Sequence, residues 1–341
     1  MAGRHSRATA RLGEWLDARL LALDFERTLE RRGRLVKVRV GRHGAGWAND
    51  VAIERDGAGR YSIAYGIDAP RDFLVSSRNF VSAYLYWMDL CGAEVRRITV
   101  NASDGQRPSL ARFSPSVRSK AAIALPDPHF YLYEGFAVAR QLAAHAPAWS
   151  ARTHDVVWRG GMNGAGAVSF DLADQNNAAV IPRLRLCMKA RGIADSDVRL
   201  AGIGEDGGIW TGPAVGAGLS GGWLPEPSWL HRKFAIDIDG VTNTWSNLFV
   251  RMLFGCCVFK VESQLGYRQW YYDRIKPFEH FVPVRSDMSD LAEKVDWARG
   301  HADEARSIAE NAQHFAMSLD FEAGKRDAVD IITANWDRPG K

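Results

Sequence analysis

From residue 154 onward the chain alternates short apolar runs with amphipathic stretches, and this alternation limits its fold more than any other feature. DVVWRG reads as a strand, followed by glycines and a helix over 180–191, and DVRLAGI reads as a second strand. FAIDIDG, residues 234–240, is a third strand that ends on glycine and feeds a helix at TWSNLFVRMLFG. CCVFKVES and HFVPVRS are further strands, with a short helix around YRQWYYDRI between them. One long helix, DLAEKVDWARGHADEARSIAENAQHFA, closes the region. Repeated strand–helix units of this kind predict a parallel sheet of Rossmann type. Earlier, LVKVRV, VAIER, YSIAYGI and EVRRITV are short alternating runs, with a helix predicted over 78–90.

At 341 residues and 46% hydrophobic, the chain is long enough for two domains with real cores. Its balance of charge and hydrophobicity excludes a disordered chain, and no apolar run reaches the ~18–20 residues needed to cross a bilayer. The start, MAGRHSRATARLGEWLDARL, carries no secretory-type apolar segment. The four cysteines, Cys91, Cys187, Cys256 and Cys257, fit neither a disulfide framework nor a zinc site. They read as buried thiols of a cytoplasmic protein. Arginines number 35 against 9 lysines, and arginine is the side chain that grips phosphate in a bidentate fork. Much of the charge sits at the start: residues 1–43 hold eleven Arg/Lys against five Asp/Glu. There Leu12, Trp15, Leu16, Leu20 and Leu23 recur at helical spacing. Such a helix either packs on a domain or rests peripherally on an anionic surface at the inner membrane.

Several local signals point to chemistry. Gly202, Gly204 and Gly207 have dinucleotide-fingerprint spacing, but GIWTGPAVGAGLSGG after them is no helix, so a nicotinamide site is rejected. The nine glycines of 202–222 predict an irregular loop instead. Asp237-Ile238-Asp239 has the spacing of paired metal-binding carboxylates, set against a strand whose isoleucines fill the core. In Asp239-Gly240-Val241-Thr242-Asn243-Thr244-Trp245-Ser246 a strand runs through glycine into a helix start. This offers backbone amides and a helix dipole to an anion, or simply helix capping by Thr244 or Ser246. Trp158-Arg159-Gly160-Gly161 is a similar strand end, read as a phosphate contact or as an arginine bridging to a surface carboxylate. Arg183 and Arg185 lie further along. Asp104, in VNASDG, is a general base or a turn residue; His129 and Glu134 are further candidates. Tyr131, Tyr133 and Trp158 either stack on sugars or pack in cores.

The stretch 231–315 resembles the capsule-associated-protein and Rumi-type family, the protein O-glucosyltransferases classed as glycosyltransferase family 90. The resemblance rests on the aromatic run 270–272, Lys276-Pro277, His280, Val282-Pro283-Val284, Asp287-Met288-Ser289-Asp290 and Ile308-Ala309-Glu310-Asn311. It implies an α/β, GT-B-like fold, with two Rossmann-like domains facing a cleft. The domains are expected at 1–150 on the acceptor side and 151–316 for the nucleotide-sugar, with a tail at 317–341 returning to the first. It implies inverting, metal-independent transfer from a UDP-sugar, no cofactor and no nucleic-acid partner. The acceptor would be a lipopolysaccharide or capsule glycan, as in bacterial-type members. Asp104 falls at the family's catalytic base. The implied donor residues are Arg159, Gly160, Gly161, Arg183, Gly240, Val241, Thr242, Asn243, Thr244, Trp245, Ser246 and Glu262, with Arg185 a rival to Arg183. Rumi-type members carry an arginine where this chain has Ser246-Asn247, so the diphosphate must be met by backbone amides, Arg183 or another residue such as Lys233. Two readings compete: a nucleotide-sugar-binding protein without catalysis, and a peripheral membrane protein acting through its basic start.

Overall fold

The computed structural model describes residues 2–43, 46–202 and 209–338, with backbone alone over 2–15. The chain is α/β and divides into two compact units, residues 1–132 with 324–341, and residues 133–323.

The first unit opens with α1 (Ala2–Glu30), followed by β1 (Val38–His43), β2 (Asp50–Arg55) and β3 (Tyr61–Gly66). Next come α2 (Arg71–Ser76), α3 (Arg78–Leu90), β4 (Arg97–Asn101), β5 (Phe113–Ser114), β6 (Ile123–Ala124) and α4 (Pro128–Leu132). Its six-stranded sheet, ordered β1-β3-β2-β4-β5-β6, is mixed. β2 runs antiparallel to both β3 and β4, while β1–β3 and β4–β5–β6 pair in parallel. The sheet departs from an all-parallel Rossmann pattern for a local reason. Only residues 56–60 join β2 to β3, too few for a parallel crossover. Asp56 Oδ1 accepts from the Ala58 and Arg60 amides and Gly59 takes φ +76°, which closes a hairpin turn. The core side of α1 also differs from the expectation. Leu21, Ala22, Phe25 and Leu29 are buried, whereas Leu16 and Leu20 stand exposed.

The second unit contains α5 (Ala137–Ala143), β7 (Thr153–Gly160), α6 (Pro182–Ala190), β8 (Ser196–Leu200) and α7 (Thr211–Gly216). It continues with β9 (Arg232–Asp237), α8 (Asn247–Leu253), β10 (Cys257–Val261), β11 (Val282–Val284), α9 (Leu291–Gly300) and α10 (Ala302–Ser318). A last helix, α11 (Phe321–Asn335), runs from the end of this unit into the residues grouped with the first. Within this unit Arg140 of α5 donates to the carbonyls of Ala316, Met317 and Leu319.

Its five strands are all parallel, in the order β11-β10-β9-β7-β8. β9 and β10 are buried on both faces, which is why FAID and CVFKV read as apolar runs. β8 adds on one side of β7 and β9 on the other, so the chain reverses direction across the sheet between β7 and β9. In sheets of this kind ligands bind at that point, beyond the carboxyl ends of the strands. Two helical expectations are corrected. The predicted closing helix breaks at His301 (φ −118°, ψ 63°), just after Gly300, into α9 and α10. The glycine-rich stretch contains the short helix α7. All four cysteines are free and buried, and no helix among the described residues is long and apolar enough to cross a membrane.

Candidate functional site

The loops leaving β7 and β9 meet at the reversal point, and Arg183 ties them together. Its Nε donates to Asp239 O at 3.0 Å and its Nη2 to Ile238 O at 3.3 Å. Its Nη1 donates to Gly161 O at 3.1 Å and to Asn163 Oδ1. The guanidinium lies under the loop, since a Cβ on Gly240 would stand 2.9 Å from Nη2. Burial lowers its pKa to about 10, against the pull of Asp237 and Asp239. Arg183, the arginine expected to grip the diphosphate, donates to three backbone carbonyls and one side-chain amide oxygen, and so satisfies buried acceptors at the strand ends.

Two residues on, Arg185 behaves differently. It lines a cavity of about 340 Å³ together with Pro182, Asp239, Gly240, Val241, Gln264, Tyr267, Ser286 and Asp287. The side chain is 5% exposed, and Nε finds no hydrogen-bond partner among the described residues. Burial lowers its pKa, opposed by the charge of Asp287. Of the two arginines on α6, this one has donors to give.

Asp237 is fully buried, and its Oδ2 has no hydrogen-bond partner among the described residues. Its Oδ1 accepts from Thr244 Oγ1 at 2.5 Å and Asn247 Nδ2 at 3.0 Å, and Lys260 Nζ lies 3.6 Å from Oδ2. The protein thus supplies its own anion where α8 starts. That helix is only seven residues long, and no side chain caps it, so neither Thr244 nor Ser246 has the capping role considered for it. Asp239 lines the cavity, held by Asn243 Nδ2 at 3.1 Å, and burial pushes its carboxyl upward. Asn243 also donates to Tyr267 O. Thr242 is buried, and its carbonyl accepts from the Gly240 amide. The two carboxylates of Asp-Ile-Asp therefore serve different neighbourhoods, and no group of three or more His, Cys, Asp or Glu among the described residues is arranged to hold a metal.

Glu262 follows β10 and lines a larger cavity of about 650 Å³ with Lys260, Tyr267, Tyr272, Phe278 and Arg285. Tyr267 borders both cavities. Sequence reasoning missed the aromatic part of this wall; the run Trp270-Tyr271-Tyr272 was the signal that could have found it.

The other candidates separate cleanly. Arg159 forks onto both carboxylate oxygens of Asp197 at 2.8 and 2.7 Å and also donates to Asp197 O, so the carboxylate-bridging alternative is the geometry present. Gly160 accommodates the Trp158 ring, 2.6 Å from where its Cβ would lie, and Gly161 supplies the carbonyl held by Arg183. Lys233 contacts His154 Nε2 at 2.9 Å near the start of β9, four residues (roughly 13 Å) before Asp237, at the strand end away from the cavity. Trp158 and Tyr131 are core side chains, Tyr131 packing on Trp87, while Tyr133 is exposed. Trp245 is half-buried just before α8. Gly204 and Gly207 lie outside the described residues.

In the first unit Asp104 sits in the turn after β4, and burial raises its pKa, partly offset by the charge of Arg107. His129 lies in α4, with its pKa lowered by burial, and Glu134 takes a left-handed backbone at φ 50°.

Comparison with known proteins finds a family match over part of the chain. Residues 226–323 match the model of Glycosyl transferase family 90. Protein O-glucosyltransferase 2 of Danio rerio is 37% identical over 86 residues, 25% of this chain and 17% of the fish protein. Uncharacterized protein 179R of Invertebrate iridescent virus 6 is 36% identical over 88 residues, 24% of this chain and 7% of the viral protein. The chain therefore spans well under a quarter of either relative. Among solved structures, Anabaena Alr3699/HepE in complex with UDP-glucose aligns over 59% of this chain and 52% of its own, at 13% identity and a TM-score of 0.36.

Proposed function

We propose that this chain is a family 90 glycosyltransferase of GT-B-like, bacterial type. It transfers a hexose or pentose from a UDP-sugar to a hydroxyl of a lipopolysaccharide or capsule glycan. The observation that carries the reading is the coincidence of match and cavity. The family match, 226–323, includes every residue lining the 650 Å³ cavity and most of those lining its 340 Å³ neighbour.

In this reading the nucleoside lies in the larger cavity, with Glu262 accepting ribose hydroxyls and the aromatic wall against the base. The diphosphate lies beside Arg185 and Gly240–Val241. Charge developing on the leaving UDP is met there by a guanidinium already in place. Asp104 accepts the proton of the acceptor hydroxyl as its oxygen bonds to the anomeric carbon. The bond from that carbon to UDP breaks on the opposite face, so configuration inverts. A base of this kind contributes typically ~10²–10⁴-fold. Transfer is metal-independent in this scheme, with Asp237 Oδ1 engaged by Thr244 and Asn247 and the Lys260 ammonium 3.6 Å from Oδ2.

The test is a thermal-shift screen with UDP-glucose, UDP-xylose, UDP-galactose, UDP-glucuronate and GDP-mannose, because a ligand of the folded state raises its stability. A UDP-sugar should raise Tm and GDP-mannose should not. A screen in which no UDP-sugar moves Tm would overturn the proposal.

A further inference from the structure

The first unit has a cavity of its own, about 420 Å³, within the ~300–1,000 Å³ range of small-ligand clefts. Three features of its wall point to one ligand class. The first is Asn101, 2% exposed, at the end of β4. Its Oδ1 accepts from Asn49 Nδ2, Ser103 N and Ser103 Oγ at 3.2, 3.0 and 2.7 Å. The side chain is therefore fixed with its oxygen saturated, while Nδ2 donates to no acceptor among the described residues and Asn101 lines the cavity. An amide donor with no acceptor in the protein is available to a ligand acceptor in the cavity.

The second feature is Trp47, a cavity-lining ring that is 50% exposed. A half-exposed aromatic face beside hydroxyl and amide groups suits the C–H face of a pyranose. The third is charge. Arg107 and Arg118 line the cavity with Gln106, and no Asp or Glu does among the described residues. Guanidinium is the group that holds a carboxylate in a bidentate fork.

We propose that this cavity is an acceptor subsite for a glycan carrying an acidic sugar, with Trp47 against the ring, Asn101 Nδ2 donating to a ring substituent, and Arg107 and Arg118 on the carboxylate. The inference rests on the glycan-acceptor reading above and places the specificity of that acceptor one residue from Asp104, since Gly105 is part of the same wall. The basic excess at the chain start does not enter it.

The test is calorimetry on the full chain without any UDP-sugar, using a heparosan tetrasaccharide, which alternates glucuronate with N-acetylglucosamine, against neutral chitotetraose. Heparosan should bind at least tenfold more tightly. Arg107→Gln with Arg118→Gln should bring the two ligands within about threefold of each other. Trp47→Ala should weaken heparosan at least fivefold, a loss that charge capture by the basic α1 helix would not show. Equal affinity of the wild type for both glycans, binding of neither, or heparosan binding unmoved by these substitutions would each overturn the proposal. Because no nucleotide is present, a failed donor screen with intact heparosan binding counts against the transferase reading alone, and the reverse result counts against this subsite alone.

Discussion

The cavities of the two units treat charge in opposite ways. Around the β7–β9 reversal the buried charges are largely used by the fold: Arg183 holds four acceptors and Asp237 is met by Thr244, Asn247 and Lys260. Of the two arginines of α6, Arg185 is the one whose Nε has no hydrogen-bond partner among the described residues. In the first unit the cations at the cavity, Arg107 and Arg118, are exposed, and the buried polar groups of its wall, Asn101, Ser114 and Ser116, are neutral. An arginine near a strand end is therefore not evidence of a ligand until its donors have been followed to their acceptors.

The largest effect expected from this contrast is at Arg183. Arg183→Ala leaves the Ile238, Asp239 and Gly161 carbonyls short of a donor, and each buried acceptor left unsatisfied costs about 1–3 kcal/mol. The urea midpoint should fall with an unchanged slope. Wild-type stability combined with lost UDP binding would reverse the assignment and return Arg183 to the ligand.

That distinction was not legible in the sequence, and the reason is geometric. The parallel sheet of 153–284 could be read because β9 and β10 are buried on both faces, and burial writes itself as apolar runs. The mixed sheet could not, because its direction depends on a five-residue turn and on pairing of β1 with β3 across the intervening β2. Gly240 and Asp239 were found at the crevice because strand–glycine junctions mark it. Arg183 and Arg185 share a helix and a residue type, and only their side-chain directions part them. The Asn101 cavity was missed because its wall comes from 47, 101 and 105–122, a set with no common motif.

At Asp104 the expected effect is smaller in free energy but specific to turnover. Asp104→Asn should cut transfer at least a hundredfold while leaving UDP affinity within about twofold. The pH dependence adds a second reading. Burial raises the carboxyl and Arg107 lowers it, with burial the larger influence. The base acts when ionised, so kcat/KM should fall as pH drops through a midpoint above the ordinary 3.8. Arg107→Gln removes the charge that opposes burial, and the midpoint should move further up. A downward shift in that variant, or full activity of Asp104→Asn, would remove Asp104 as the base.

The smallest effect is the one that sets the two arginines of α6 directly against each other. Arg185→Gln keeps a polar group of similar reach while removing the charge, and no hydrogen bond within the protein depends on its Nε. Its Tm should stay within about 2 °C of wild type. UDP affinity, measured by calorimetry, should fall about tenfold, equivalent to ~1.4 kcal/mol. Because Asp287 stands on the same cavity wall, loss of the arginine leaves that carboxylate facing the diphosphate. Affinity should then recover in the double variant Arg185→Gln with Asp287→Asn, to within about threefold of wild type. Recovery would show that Arg185 acts by charge on the ligand. A double variant no better than Arg185→Gln would show that its contact with the diphosphate is a directional hydrogen bond, and unchanged affinity in the single variant would place the diphosphate elsewhere.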